Sequence, residues 1–110
     1  MLDLRLYLAQ RISAMVMAPL VLGHLAVMIY AIQGGLSAAE ILGRTQGSLF
    51  WALFYGLFVL AAAVHAAIGL RTIAHETLRL ARPALNLLGW GVFALFTFLG
   101  GRAVIAVTLP

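Results

Sequence analysis

Residues 49–71 read LFWALFYGLFVLAAAVHAAIGLR, and from Leu49 to Leu70 they contain no Asp, Glu, Lys or Arg. A membrane-spanning helix needs roughly 20 predominantly apolar residues, and this run supplies one. A similar charge-free run precedes it, from Ile12 to Ile32, and stops at Gln33-Gly34-Gly35. A third begins after Arg82-Pro83, where Pro suits the first turn of a helix, and continues to Leu99. Gly100-Gly101-Arg102 then either ends that helix or kinks it. The expected spans are therefore about 12–33, 49–73 and 84–108, within a single transmembrane domain over residues 1–110. Pro19 is expected to bend the first span, because it removes one backbone donor.

The composition agrees with this reading. The 110-residue chain is 65% hydrophobic and 9% charged, against about 45–50% and about 25% in a soluble domain, and its mean hydropathy is +1.10. Three spans consume about 60–70 residues, leaving connections but no separate catalytic domain. Chemistry must sit within the membrane or belong to partners. No Cys is present, which excludes disulfides, Cys-ligated iron–sulfur clusters and c-type haem attachment. A pI near 10.8 suggests nucleic acid in a soluble protein. Here the seven basic residues, all Arg, mostly flank apolar runs, so they read as orientation signals and no nucleic-acid partner is expected.

Counting those arginines sets the topology. Arg5 and Arg11 precede the first span, and Arg71, Arg79 and Arg82 lie between the second and third, while only Arg44 and Arg102 fall on the other side. Positive charge stays inside, so the N-terminus is expected in the cytoplasm and the C-terminus outside. Tyr30, Phe50 and Trp51 then fall near the outer boundary, where amphipathic rings are favoured. The first apolar run is about 20 residues, longer than the roughly 7–15 of a cleaved signal sequence, so it reads as a retained helix. In the outer loop, Ser37-Ala38-Ala39-Glu40 has the spacing of a capping box.

Intramembrane ionisable groups are costly and mark function. His24 lies mid-way along the first run and His65 in the second, towards its cytoplasmic end. Ala61, Ala62, Ala66 and Gly69 surround His65, and Gly23, Met17 and Met28 accompany His24. Small neighbours admit a flat rigid body or another helix; a flat apolar body needing an axial imidazole is a protoporphyrin. The competing reading treats both histidines as helix-packing hydrogen-bonders. A second polar group gathers where the first span begins and the second ends: Tyr7, Gln10, Arg11 and Ser13, with Arg71, Thr72, His75 and Glu76. Arg there can pair with carboxylates such as haem propionates, and with Tyr7, Gln10 and Ser13 it can hydrogen-bond a quinone carbonyl. Arg79 and Arg82 read as membrane anchors.

At these residues the chain resembles the cytochrome b membrane-anchor subunits of succinate dehydrogenase and fumarate reductase. Gln10-Arg11-Ile12-Ser13-Ala14 is similar to the family's His-Arg-x-Ser-Gly segment at the start of the first helix. His65-Ala66-Ala67-Ile68-Gly69-Leu70-Arg71 is similar to its His-x-x-x-Gly-x-Arg segment, whose histidine is an axial haem b ligand. The departures are Gln10 for histidine, Ala14 for glycine, and Thr72 for the histidine after the second arginine, with His75 and Glu76 following. Tyr7 stands where some members have a quinone-site serine.

The resemblance implies an all-α membrane protein whose three helices form half of a haem-binding bundle. His65 becomes a haem b ligand, Arg11 and Ser13 quinone or propionate contacts, and Arg71 a contact to propionates or the partner subunit. His24 suits a second haem, as in members holding two, with a second anchor subunit supplying the opposite ligands. The other implied partners are a flavoprotein carrying FAD and an iron–sulfur protein, docked at the bacterial cytoplasmic membrane. The chain itself would be a non-catalytic electron-transfer subunit of the oxidoreductase, linking the clusters to membrane quinone. The alternative is a haem-free structural anchor. A transporter would show paired intramembrane acids or repeated broken helices, and neither is present.

Overall fold

The computed structural model describes residues 3–110; Met1 and Leu2, included in the expected domain, lie outside the described residues. Among the described residues the chain forms four helices and no strand: α1 (Leu4–Gly34), α2 (Ala38–Thr45), α3 (Leu49–Leu78) and α4 (Arg82–Thr108). The three long ones have 31, 30 and 27 residues and are apolar enough to cross a membrane. At 1.5 Å per residue they run about 40–46 Å, matching a long axis of 48 Å. They exceed a hydrocarbon layer of about 30 Å, so their ends project beyond it.

That excess explains why α1 begins eight residues before the expected span at 12. The charged residues Arg5 and Arg11 mark the edge of the apolar layer, whereas a helix needs only satisfied backbone groups to continue. Asp3 caps it, accepting a hydrogen bond from the Arg5 N–H at 2.7 Å. Pro19 lies inside α1 without ending it. At the other end of the chain, Gly100-Gly101-Arg102 does not terminate α4, which continues to Thr108. Gly100 is there for packing: a Cβ would lie 2.5 Å from Val59 Cγ1, so only glycine lets α4 approach α3 this closely.

α3 is the central helix, packed against α1 on one side and α4 on another. Its small residues Ala61, Ala63, Ala67 and Ala74 are buried, together with Ile68. Close approach through small side chains is how membrane helices associate when lipid competes for apolar contact. Most large apolar side chains face outward instead, among them Leu22, Leu53, Leu87 and Phe98, as lipid-facing residues do.

The short helix α2 obeys its local signal: the Ser37 hydroxyl accepts a hydrogen bond from the Glu40 N–H at 3.2 Å. Its far end then closes the C-terminus of α4, whose last carbonyls have no partner inside their own helix. Thr45 Oγ1 donates to Val107 O at 2.6 Å, Gly47 N to Thr108 O at 2.7 Å, and Gln46 Nε2 to Leu109 O at 3.2 Å. Antiparallel connections place Arg5, Arg11, Arg71, Arg79 and Arg82 at one end of the bundle and Arg44 and Arg102 at the other.

Candidate functional site

Helices α1 and α3 pack in one antiparallel register. Gln10 Nε2 reaches over Gly69, Ser13 meets His65, Phe54 closes on Gly23, and Tyr55 meets His24. Gly23 supplies the space for Phe54, which a Cβ there would meet at 3.0 Å, whereas Gly69 faces Gln10 at ordinary contact distance. Ser13 and His24 are eleven residues apart on α1, hence about 16 Å along its axis. His65 lies at the level of Ser13, so the two histidines occupy depths about 16 Å apart. An iron holds its ligands at about 2 Å, as imidazole–metal distances go, so the pair cannot bind one metal.

Around His65 the polar geometry is specific. Ser13 is 4% exposed, and its hydroxyl lies 2.9 Å from Gln10 O and 3.3 Å from His65 Nδ1. Beside the ring, an open groove of about 430 Å³ is lined by His65 with Ala14, Met17, Ala18, Val21 and Leu22 of α1. The room for a flat body is thus on the surface of α1, at Ala14 and Ala18. On α3, Gly69 faces the Gln10 side chain, and Ala61 is buried.

Tyr7, Arg11, Ala14 and Ala18 follow at intervals of four, three and four residues, which is one stripe of a helix turning about 100° per residue. Arg11 and Tyr7 therefore stand on the groove's side of α1, towards its Arg-rich end, and both are exposed. Gln10 lies beside them with Oε1 buried and without a hydrogen-bond partner among the described residues. A buried amide oxygen of that kind is a position for a donor from a ligand or water.

Arg71 belongs elsewhere. It lies six residues after His65, about 240° around α3, and its Nη2 donates to Asn86 Oδ1 of α4 at 3.1 Å. Together they edge an apolar pocket of about 330 Å³ walled by Val64, Ile68, Trp90 and Phe93. The structure therefore brings Ser13 to His65 and puts Tyr7 and Arg11 on their side of the bundle, while Arg71 faces α4. Asn86 was not singled out by sequence reasoning, although a lone amide in the third apolar run is the kind of signal that marks such a position.

His24 has a different environment. Its ring meets Tyr55 and Phe58 edge-on, with centroids 5.9 and 5.4 Å away. It also lines a cavity of about 560 Å³ bounded by Met28, Tyr30, Trp51, Tyr55 and Arg44. The Arg44 guanidinium lies 5.2 Å from the centre of the Tyr30 ring, a cation–π contact that ties α2 to the end of α1. The described residues contain no group of three or more His, Cys, Asp or Glu able to hold a metal ion. Each histidine stands as a single potential ligand.

Three long apolar helices with outward-facing large side chains and polar groups gathered at one end define a multi-pass helical membrane protein. The family model for the succinate dehydrogenase/fumarate reductase transmembrane subunit matches residues 2–101. The chain belongs to that family, and its role is that of a membrane anchor in a complex with soluble subunits. No curated protein matches it, and no solved structure does.

Proposed function

We propose that the chain is the haem b-binding and quinone-site anchor of a succinate dehydrogenase/fumarate reductase-type complex. In this role it passes electrons between iron–sulfur clusters of a partner subunit and membrane quinone. The observation that carries the reading is the His65 ring, tied to buried Ser13 and bordering an apolar groove whose stripe leads to Arg11. The donor set suits the group: a neutral imidazole to ligate, small alanines to admit a flat macrocycle, and a guanidinium for its carboxylates. When bound, haem b supplies one-electron carriage and the protein supplies position and tuning.

In this proposal His65 would hold the haem iron. Arg11 and Tyr7 contact propionates or quinone, and Gln10 Oε1, buried and without a partner among the described residues, is placed to accept a hydrogen bond from water or a quinol hydroxyl at the same end. Arg71, held by Asn86 on the α4 side, faces the docked iron–sulfur subunit. His24, about 16 Å away in depth, could not hold the same iron, so any further protein ligand to it would come from a second anchor subunit. His24 ligates a second haem nearer the outer surface, a reading favoured by the aromatic-lined cavity of about 560 Å³ beside it. The arginine distribution supports a cytoplasmic N-terminus in a bacterial cytoplasmic membrane, and FAD and iron–sulfur clusters reside in the partners.

The test is a pyridine haemochrome count on the purified complex. The expected result is two haems, falling to one in His24→Ala. One haem in both proteins confines ligation to His65. No haem replaces the proposal with a structural anchor whose histidines pack between helices.

A further inference from the structure

We infer that Ser13 is a positioning residue for His65, holding the imidazole in the tautomer that carries its proton on Nδ1 and leaves the Nε2 lone pair free for a metal. The inference rests on the ligand role proposed for His65.

Proton inventory decides the tautomer. A serine hydroxyl has one proton and two lone pairs, and a backbone carbonyl can only accept. Ser13 Oγ lies 2.9 Å from Gln10 O, the shorter of its two contacts, so its proton goes there. The 3.3 Å contact to His65 Nδ1 then needs a proton from the ring, and Nδ1–H donates to Ser13 Oγ. In a neutral imidazole the other nitrogen is left as an acceptor. Ser13 is 4% exposed, so water does not readily replace this partner, and helix α1 fixes the carbonyl that sets the direction of the hydroxyl. Partners of this kind orient a ligating histidine and raise its basicity. The same inventory separates Ser13 from quinone binding: its single proton is already committed, so it has none to donate to a quinone carbonyl.

The experiment compares the intact complex carrying Ser13→Ala, Ser13→Thr or His65→Ala, with the readouts being haem retention against a haem-scavenging protein and the haem midpoint potential. Ser13→Ala should keep a haem that is lost about 10–100-fold more readily, the usual cost of deleting such a partner. Its midpoint potential should rise, because a less basic imidazole stabilises the oxidised iron less. Ser13→Thr, which keeps the hydroxyl, should restore both readouts. His65→Ala should lose that haem. Wild-type retention and potential in Ser13→Ala, with haem lost in His65→Ala, overturns the role of Ser13 alone. Equal shifts in the Ala and Thr variants also overturn it, since the hydroxyl is then not the cause. Haem unchanged in His65→Ala overturns the ligand role and the inference with it.

Discussion

Gly100 and Gly101 are adjacent in one helix and face opposite consequences if a methyl group is added. At Gly101 a Cβ has nothing within 4 Å, and alanine removes the conformational freedom that makes glycine a poor helix residue, a gain of roughly 0.5–1 kcal/mol. At Gly100 the same methyl would sit 2.5, 2.9 and 3.2 Å from Val59 Cγ1, Cγ2 and Cβ. Valine is β-branched and stiff about χ1, so it cannot swing aside, and forcing α3 and α4 apart costs about 1–3 kcal/mol. Gly101→Ala should therefore be slightly stabilised, with Gly100→Ala lower than it by about 1–3 kcal/mol. The assay is helix unfolding of the detergent-solubilised protein by circular dichroism. Adding Val59→Ala to Gly100→Ala should recover part of the loss by removing the obstructing methyls. Equal stability of the two single variants, or no recovery in the double, refutes the close α3–α4 contact.

Thr45→Val removes the hydroxyl that reaches Val107 O at 2.6 Å; it should cost about 0.5–1.5 kcal/mol and speed amide exchange in α2 and the last turn of α4. Arg11→Gln should weaken quinone or propionate binding by about 1.5–3 kcal/mol, the range for a charged hydrogen bond, read as a raised KM for quinone or a looser haem. Because the chain has no native cysteine, single cysteines report topology cleanly. Ser37→Cys should react with a membrane-impermeant maleimide in intact cells, and Thr77→Cys should react only after lysis; the reverse pattern overturns the assigned orientation.

The spans were legible because charge is excluded from hydrocarbon, and that signal is local. Helix limits were less so: the Arg5 and Arg11 positions mark where the apolar layer starts, yet α1 begins at Leu4, since its backbone bonds form equally well outside lipid. Gly100-Gly101 resembles a stop in sequence, but a glycine in a membrane helix also permits close packing, and only the position of Val59 decides between the two. The Ser37 cap was readable because its partner is three residues away. The Ser13–His65 contact joins residues 52 positions apart, so no sequence window contains it. Its two residues were visible as members of separate motifs; the register that joins them was not. Arg71 was visible too, but its turn away towards Asn86 depends on which face of α3 meets α4.

Whether His65 binds a haem is decided on the assembled complex. The most direct measurement is the reduced-minus-oxidised spectrum and haem content of the purified complex bearing His65→Ala, with the polypeptides still assembled. With His65 as a ligand, low-spin b-type bands present in the wild-type complex should be lost in the variant, with a matching fall in haem content. An assembled complex with unchanged bands and unchanged haem would contradict it.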